Sequence, residues 1–281
     1  PADMRLARAL IISLLWPGPL SAAEQLLWAP DGEYPGYPPS EQHLDPWHVT
    51  VNAGAMHDSN LFRLPAGDTT VGRHATTVYN YGLGGDADLH VGRQDVLFNA
   101  RADEYRFRRF DFLNYLGYNA GLDWKWKLGQ LWDGDLAYGH RRFLTSFATL
   151  HQPLKDLIDE DHARAGASQA LPYDLRLTGA VEGYRYQHSA PQRQVLDYRA
   201  LSGIVWLQYV SPEANAVGLK AESTQFRFPN KAVVQSRLFD NRYRVDQLSG
   251  TFDWQPGGAS RLQGRVGYSR LRNHEISQRD F

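Results

Sequence analysis

From Tyr115 to Leu128 the chain alternates without a break for fourteen residues. The even positions Leu116, Tyr118, Ala120, Leu122, Trp124, Trp126 and Leu128 are apolar or aromatic. The odd positions Tyr115, Gly117, Asn119, Gly121, Asp123, Lys125 and Lys127 are mostly polar or small. A period of two specifies a β-strand with one oily face and one wet face. Strands of soluble domains usually run to roughly 5–6 residues, whereas a tilted strand crosses a bilayer in about 9–11. The segment is therefore long enough to span lipid, and the fold depends on whether the rest of the chain repeats the pattern.

It does repeat. Alternation returns over Val49–Ala55, Tyr79–Val91, Val96–Ala102, Trp132–Tyr138, Leu175–Val181, Val217–Ala221, Leu248–Trp254 and Leu262–Tyr268. Residues 196–210 also read as a strand, but apolar side chains occupy both of its faces and leave its orientation open. Between strands, Gly92–Gln94, Gly129–Gln130, Ser211–Ala214 and Gln255–Ala259 are tight turns. His57–Thr76, Ser146–Glu160, His188–Val195 and Pro229–Asp240 are longer polar loops, and Arg109–Phe112 is a short one. Outer-membrane barrels alternate short turns with long loops. That alternation fails once, between residues 145 and 173, which predicts a further strand over 161–171. There Ala163, Ala165, Ala167, Gln169 and Leu171 oppose His162, Arg164, Gly166 and Ser168, and Pro172 makes a tight turn.

The expected fold is an all-β, transmembrane, antiparallel up-and-down barrel of about eleven strands over residues 47–281. Bacterial single-chain barrels have even strand numbers, so eleven implies a barrel that lacks its closing strands. A soluble sandwich also alternates. It is disfavoured by the strand lengths, by aromatics near the strand ends (Tyr79, Tyr81, Trp124, Trp126, Trp132, Trp254), and by charges and glycines at the centres of the opposite faces.

The remaining composition narrows the class. A net charge of −1 argues against a nucleic-acid partner. No cysteine is present, which removes thiolate metal sites and thiol catalysis and suits export. No apolar run approaches the ~18–20 residues of a membrane helix, so only a closed barrel satisfies the backbone in lipid. Residues 4–23 read as a secretory signal: Arg5 and Arg8, then the apolar Leu10–Trp16, then Ser21-Ala22-Ala23 before a cleavage point at Glu24. The alternative is an amphipathic N-terminal helix. Pro1–Asp3 precede the expected start at Met4, and residues 24–46 read as a Pro/Gly-rich periplasmic lead-in.

Asp58-Ser59-Asn60-Leu61-Phe62-Arg63-Leu64, directly after the first strand, resembles the start of EpsL-type outer-membrane proteins. These belong to exopolysaccharide loci associated with exosortase and PEP-CTERM systems and to a wider group of β-barrel porins. Gly139–Phe147 and Tyr173–Gly179 carry further similarity, and Arg279-Asp280-Phe281 resembles the family's sequence just before another strand. Residues 150–172 depart from the family pattern. The resemblance implies a component of polysaccharide synthesis or export in the outer membrane, with lipid, lipopolysaccharide, exopolysaccharide and other export-machinery proteins as partners.

Sites of chemistry are sparse. His57, Asp58 and Ser59 are the residue types of a hydrolytic triad, but neighbours in an extended segment point to opposite sides and a triad must converge. Asp58, Ser59 and Asn60 are better suited to capping a turn at the rim. His140-Arg141-Arg142 is a basic cluster that either meets a lipopolysaccharide phosphate or forms a solvated rim. Asp133-Gly134-Asp135 reads as turn chemistry with calcium as the alternative, and no histidine spacing fits zinc. No metal or cofactor and no enzymatic activity are expected. The expected lumen wall is Asp86, Asp88, Arg101, Asp103, Asp123, Lys125, Lys127, Arg176, Glu182, Lys220, Glu222, Arg261 and Arg265. Both signs are mixed there, whereas a selective ion pore favours a ring of one sign. The wall either suits a neutral hydrophilic solute or cross-pairs and fills the lumen. An outer-membrane enzyme acting on lipid or polysaccharide, and a structural or adhesive barrel, are the alternative functions.

Overall fold

The computed structural model describes residues 46–65, 67–68, 74–232, 240–257 and 260–274. The signal-like segment 1–23, the lead-in up to residue 45 and the tail 275–281 lie outside the described residues.

Among the described residues eleven strands follow one another across a single sheet. They are β1 (Trp47–Asp58), β2 (Thr76–Val91), β3 (Gln94–Phe107), β4 (Tyr115–Leu128), β5 (Trp132–Leu144), β6 (Leu157–Leu171), β7 (Leu175–His188), β8 (Tyr198–Val210), β9 (Ala216–Arg227), β10 (Arg242–Gly257) and β11 (Ser260–Asn273). Each pairs antiparallel with the next, with no crossover, and β1 and β11 are not paired to each other, so the sheet is open. No helix among the described residues is long and apolar enough to cross a membrane.

The strand predicted from the failed alternation is present as β6, and it starts earlier than expected. It begins at Leu157 and shortens the preceding loop, which was expected to reach Glu160. The extra length was hard to read because, after Leu157, its next outward positions are Asp159 and Asp161. They face Arg142 and His140 of β5 and offer no apolar signal.

Register assigns the faces. Val181 of β7 pairs with Gly203 of β8, and Leu207 with Leu219 of β9, so the odd residues of β8 share the face of Leu177 and Val217. Its even residues Ala200, Ser202 and Ile204 are buried on the opposite face. This settles the strand whose orientation the sequence left open. The turns follow their residues. Gly92, at φ +65°, opens the two-residue β2–β3 turn in the geometry that needs glycine first. Tyr173 and Asp174 are both left-handed in the β6–β7 turn after Pro172.

One face is apolar and exposed along the whole sheet: Val51 is 77% exposed, Leu128 69% and Leu219 61%. Trp47, Trp124, Trp126, Trp132, Tyr209 and Trp254 gather on it toward the tight-turn end. Tyr79, Tyr81, Tyr118 and Tyr268 lie nearer the loop end. The opposite face carries polar or charged residues from every strand, while charged side chains of the apolar face, such as Arg142, Asp159 and Arg185, stand at its loop end. The buried apolar cluster is small and sits at the loop end, where Leu61, Phe62, Leu64, Phe110, Leu113, Phe147 and Leu150 from three loops cover Val78 and Phe107.

Candidate functional site

The thirteen expected wall residues all project from the polar face, as the register of each strand requires. Most are engaged with a neighbour of opposite sign. Arg101 Nε lies 2.6 Å from Asp103, Lys125 is 3.9 Å from Asp123, and Lys220 and Arg265 are 3.4 Å and 3.9 Å from Glu222. Arg176 pairs with Asp133 and Arg261 with Asp253. Asp86 meets His48 at 2.9 Å, and Asp88 meets His90 at 3.4 Å. Lys127 is exposed at the turn end. Cross-pairing, the second of the two sequence-based alternatives, describes most of the wall.

The wall is also built from residues that the sequence did not single out. Arg164 of β6 bridges Asp135 of β5, at 2.8 Å, and Glu182 of β7. Asn52 of β1 donates to Asp103 of β3 at 3.2 Å and accepts from Arg101 at 3.0 Å, so the network passes over β2. Gly82 of β2 makes this possible, because a Cβ there would strike both Asp103 and Asn52. Trp206 of β8 donates to Thr251 of β10 at 3.1 Å across Gly218 of β9, where a Cβ would sit 3.0 Å from the indole nitrogen. Gly166 of β6 leaves room for Asp135 in the same way. Strands two apart are separated by about 10 Å, so side chains that meet over a glycine draw this face inward.

The Asp133-Gly134-Asp135 reading is corrected by the same contacts. These residues lie inside β5, not at a turn, and arginines take both carboxylates. Among the described residues no group of three or more histidine or acidic side chains is arranged to hold a metal.

The Asp58–Arg63 segment forms a tight structure at the loop end. The Asn60 amide donates to Asp58 Oδ1 at 2.9 Å, and Arg63 Nη1 reaches the same oxygen at 2.8 Å. This bond raises the Arg63 guanidinium above its ordinary pKa. Asn60 closes the segment from both sides, accepting from the Leu64 amide at 3.1 Å and donating to its carbonyl at 2.8 Å. Arg63 holds a left-handed φ of +55°, and Ser59 lies exposed between the two capping residues. The turn aims Leu61 and Phe62 into the cap, where Phe62 is fully buried. Its ring stands edge-on to Phe110 at 4.8 Å and to Phe147 at 4.9 Å. His57 bonds Thr77 from the other face of β1, away from Asp58.

Beside this cap a polar centre ties three loops together. Asp156 is fully buried. It accepts from Thr145 Oγ1 at 2.8 Å and the Ala190 amide at 3.1 Å, with Arg193 at 3.0 Å. His188 lies between Asp156 and Asp197, and Asn230 reaches Asp197 at 2.9 Å. The His140-Arg141-Arg142 cluster is neutralised: His140 meets Asp161 at 2.7 Å, Arg141 meets Glu160 at 2.6 Å and Arg142 meets Asp159 at 2.7 Å.

No protein-family profile matches the chain. No curated protein matches it either. Among solved structures, the β domain of the Bordetella autotransporter BrkA aligns at 14% identity, covering 82% of this chain and 93% of that one, with a TM-score of 0.26. A score this low lends no support to a shared architecture or function.

Proposed function

We propose that the chain is an outer-membrane β-barrel protein without enzymatic activity, serving exopolysaccharide biosynthesis or export as a pore or anchoring component. The observation that carries the membrane reading is the exposed apolar face. Soluble monomers rarely expose apolar patches beyond a few hundred Å², and a sandwich would turn this face inward. From Leu201 to Tyr209 the outward face of β8 is apolar or glycine, and on β4 the apolar stretch runs from Leu116 to Leu128. At roughly 3.3 Å per residue and a 35–45° tilt these stretches stand about 20 and 30 Å tall, bracketing the ~25 Å band of outer-membrane barrels. Aromatic side chains border the band toward both ends, as interfacial girdles do.

The polysaccharide role rests on the resemblance of the Asp58–Leu64, Gly139–Phe147 and Tyr173–Gly179 segments. A polar face with both signs paired agrees with passage or retention of a neutral hydrophilic polymer, since it presents no ring of one charge. The loop cap around Phe62 covers part of that face at one end and favours a restricted opening over a wide one. The test is expression in a bacterium that carries an outer membrane. Recovery in the outer-membrane fraction, folding into phosphatidylcholine vesicles and loss of surface polysaccharide on deletion are expected. Recovery as a soluble protein would overturn the membrane reading, and unchanged polysaccharide after deletion would overturn the cargo.

A further inference from the structure

Four arginines stand in one line across the outward face at the loop end. Arg185 of β7 pairs in register with Arg199 of β8, Arg199 with Arg227 of β9, and Arg227 with Arg242 of β10. All four are exposed. Like charges directly opposite one another on neighbouring strands destabilise a sheet, and here three such pairs are consecutive. Elsewhere along the same margin several guanidiniums are neutralised: Arg106 by Glu104, Arg142 by Asp159 and Arg244 by Asp246. Among the described residues no carboxylate lies within ion-pair distance of the four. The nearby acids are engaged elsewhere or shared: Asp161, which stands opposite Arg185 in register and attracts it from beyond ion-pair distance, bonds His140 and Tyr138, and Asp240 accepts from the Arg242 amide.

We propose that this arginine row is a docking site for a membrane lipid whose headgroup carries two or more phosphates, rather than for free phosphate. The inference rests on the membrane reading above. The row borders the exposed apolar band, where lipid headgroups would lie. Its four guanidiniums extend over three strand spacings, about 14 Å, long enough for two separate phosphates to be gripped in bidentate fashion. Lower on the same strands, Leu207, Tyr209, Val217, Leu219 and Phe252 line a shallow apolar groove open to the outside. Gly183 and Gly203 lie between row and groove, and nothing stands within 4 Å of where their Cβ atoms would be. The surface thus offers anion-binding groups above and a smooth apolar track below, which is the polarity of an amphiphile and not of a free ion.

The experiment uses the full chain folded into phosphatidylcholine vesicles, with insertion read by protease protection before any further lipid is added. Purified lipopolysaccharide, the same lipid after enzymatic dephosphorylation, and inorganic phosphate at equal phosphate concentration are then compared by retention on the protein and by the urea midpoint. Lipopolysaccharide is expected to bind and to raise the midpoint, while the other two leave it unchanged. The R185Q/R199Q/R227Q/R242Q variant is expected to lose at least tenfold in retention. Without lipopolysaccharide it should be as stable as the parent chain or more so, because its mutual repulsion is gone. Replacing the already paired Arg106 and Arg142 by Gln should change retention less than twofold. Undiminished retention by the fourfold variant, equal binding of dephosphorylated lipid, or an equal effect of inorganic phosphate would each overturn the site and leave the membrane reading intact. Failure of the parent chain to insert would overturn both.

Discussion

Leu122 and Asp123 are neighbours on β4 and project from opposite faces. Leu122 is 45% exposed among other exposed apolar side chains, whereas Asp123 faces Lys125 in a charged array that extends over many strands. Two glycines differ in the same way. Gly82 on the polar face is hemmed in by Asp103 and Asn52, while Gly203 on the apolar face has open space beyond it. One face is organised by specific polar contacts and close approach. The other keeps its ion pairs to the loop end, and the chemistry of its apolar stretch is complete only if something apolar covers it. That is the arrangement of a membrane barrel, the reverse of a soluble sheet.

The two faces should respond differently to substitution. The largest effect is expected where the polar face becomes dry, under the loop cap. Phe62→Ala removes a fully buried ring that contacts two others, and should lower stability in vesicles by about 3–5 kcal/mol by urea unfolding. Next comes the apolar face itself. Leu122→Arg should cost about 2–4 kcal/mol in a bilayer, as a charge near the midplane does, while Asp123→Asn should cost no more than the ~0–1 kcal/mol of an exposed pair. Equal, small effects at both positions would put Leu122 in water. The glycines give a subtler pair. Gly82→Ala forces Asn52, Asp103 and Arg101 apart and should cost about 1–3 kcal/mol, as overpacking does. Gly203→Ala should stay within about 0.5 kcal/mol. Smallest is Trp206→Phe, which removes the indole bond to Thr251 and should cost about 0.5–1.5 kcal/mol.

The architecture was legible in the sequence because β-strands exposed on both sides to different media must alternate, and long strands repeat the signal many times. Even β6, whose outward residues between Asp159 and Ala167 are small or acidic, could be inferred from the alternation of turns and loops. Orientation failed at β8, where Ala200, Ile204 and Trp206 put apolar groups on the polar side. Trp206 is at home there because its indole finds Thr251, a partner two strands away that no local pattern announces. The polar wall was legible as a set of residues but not as a network. Asn52 and Gly82 matter through a strand-skipping contact and Arg164 through acids on both neighbouring strands, arrangements that depend on register across three strands. The ion pairs of His140-Arg141-Arg142 were hidden for the same reason: its partners, Asp159, Glu160 and Asp161, come from a strand whose start the sequence did not mark. The row of Arg185, Arg199, Arg227 and Arg242 is scattered over 58 residues of sequence and exists only once four strands are in register.

The chain has no cysteine, so single cysteines can be placed along β4 without background and labelled with a polarity-sensitive fluorophore. Labels at Ala120, Leu122 and Trp124, in protein folded into vesicles, should be quenched by lipid-borne quenchers. Labels at Asn119, Asp123 and Lys125 should respond to an aqueous quencher, a period of two in accessibility. Aqueous quenching at all six positions, or lipid quenching at the odd set, would contradict the account.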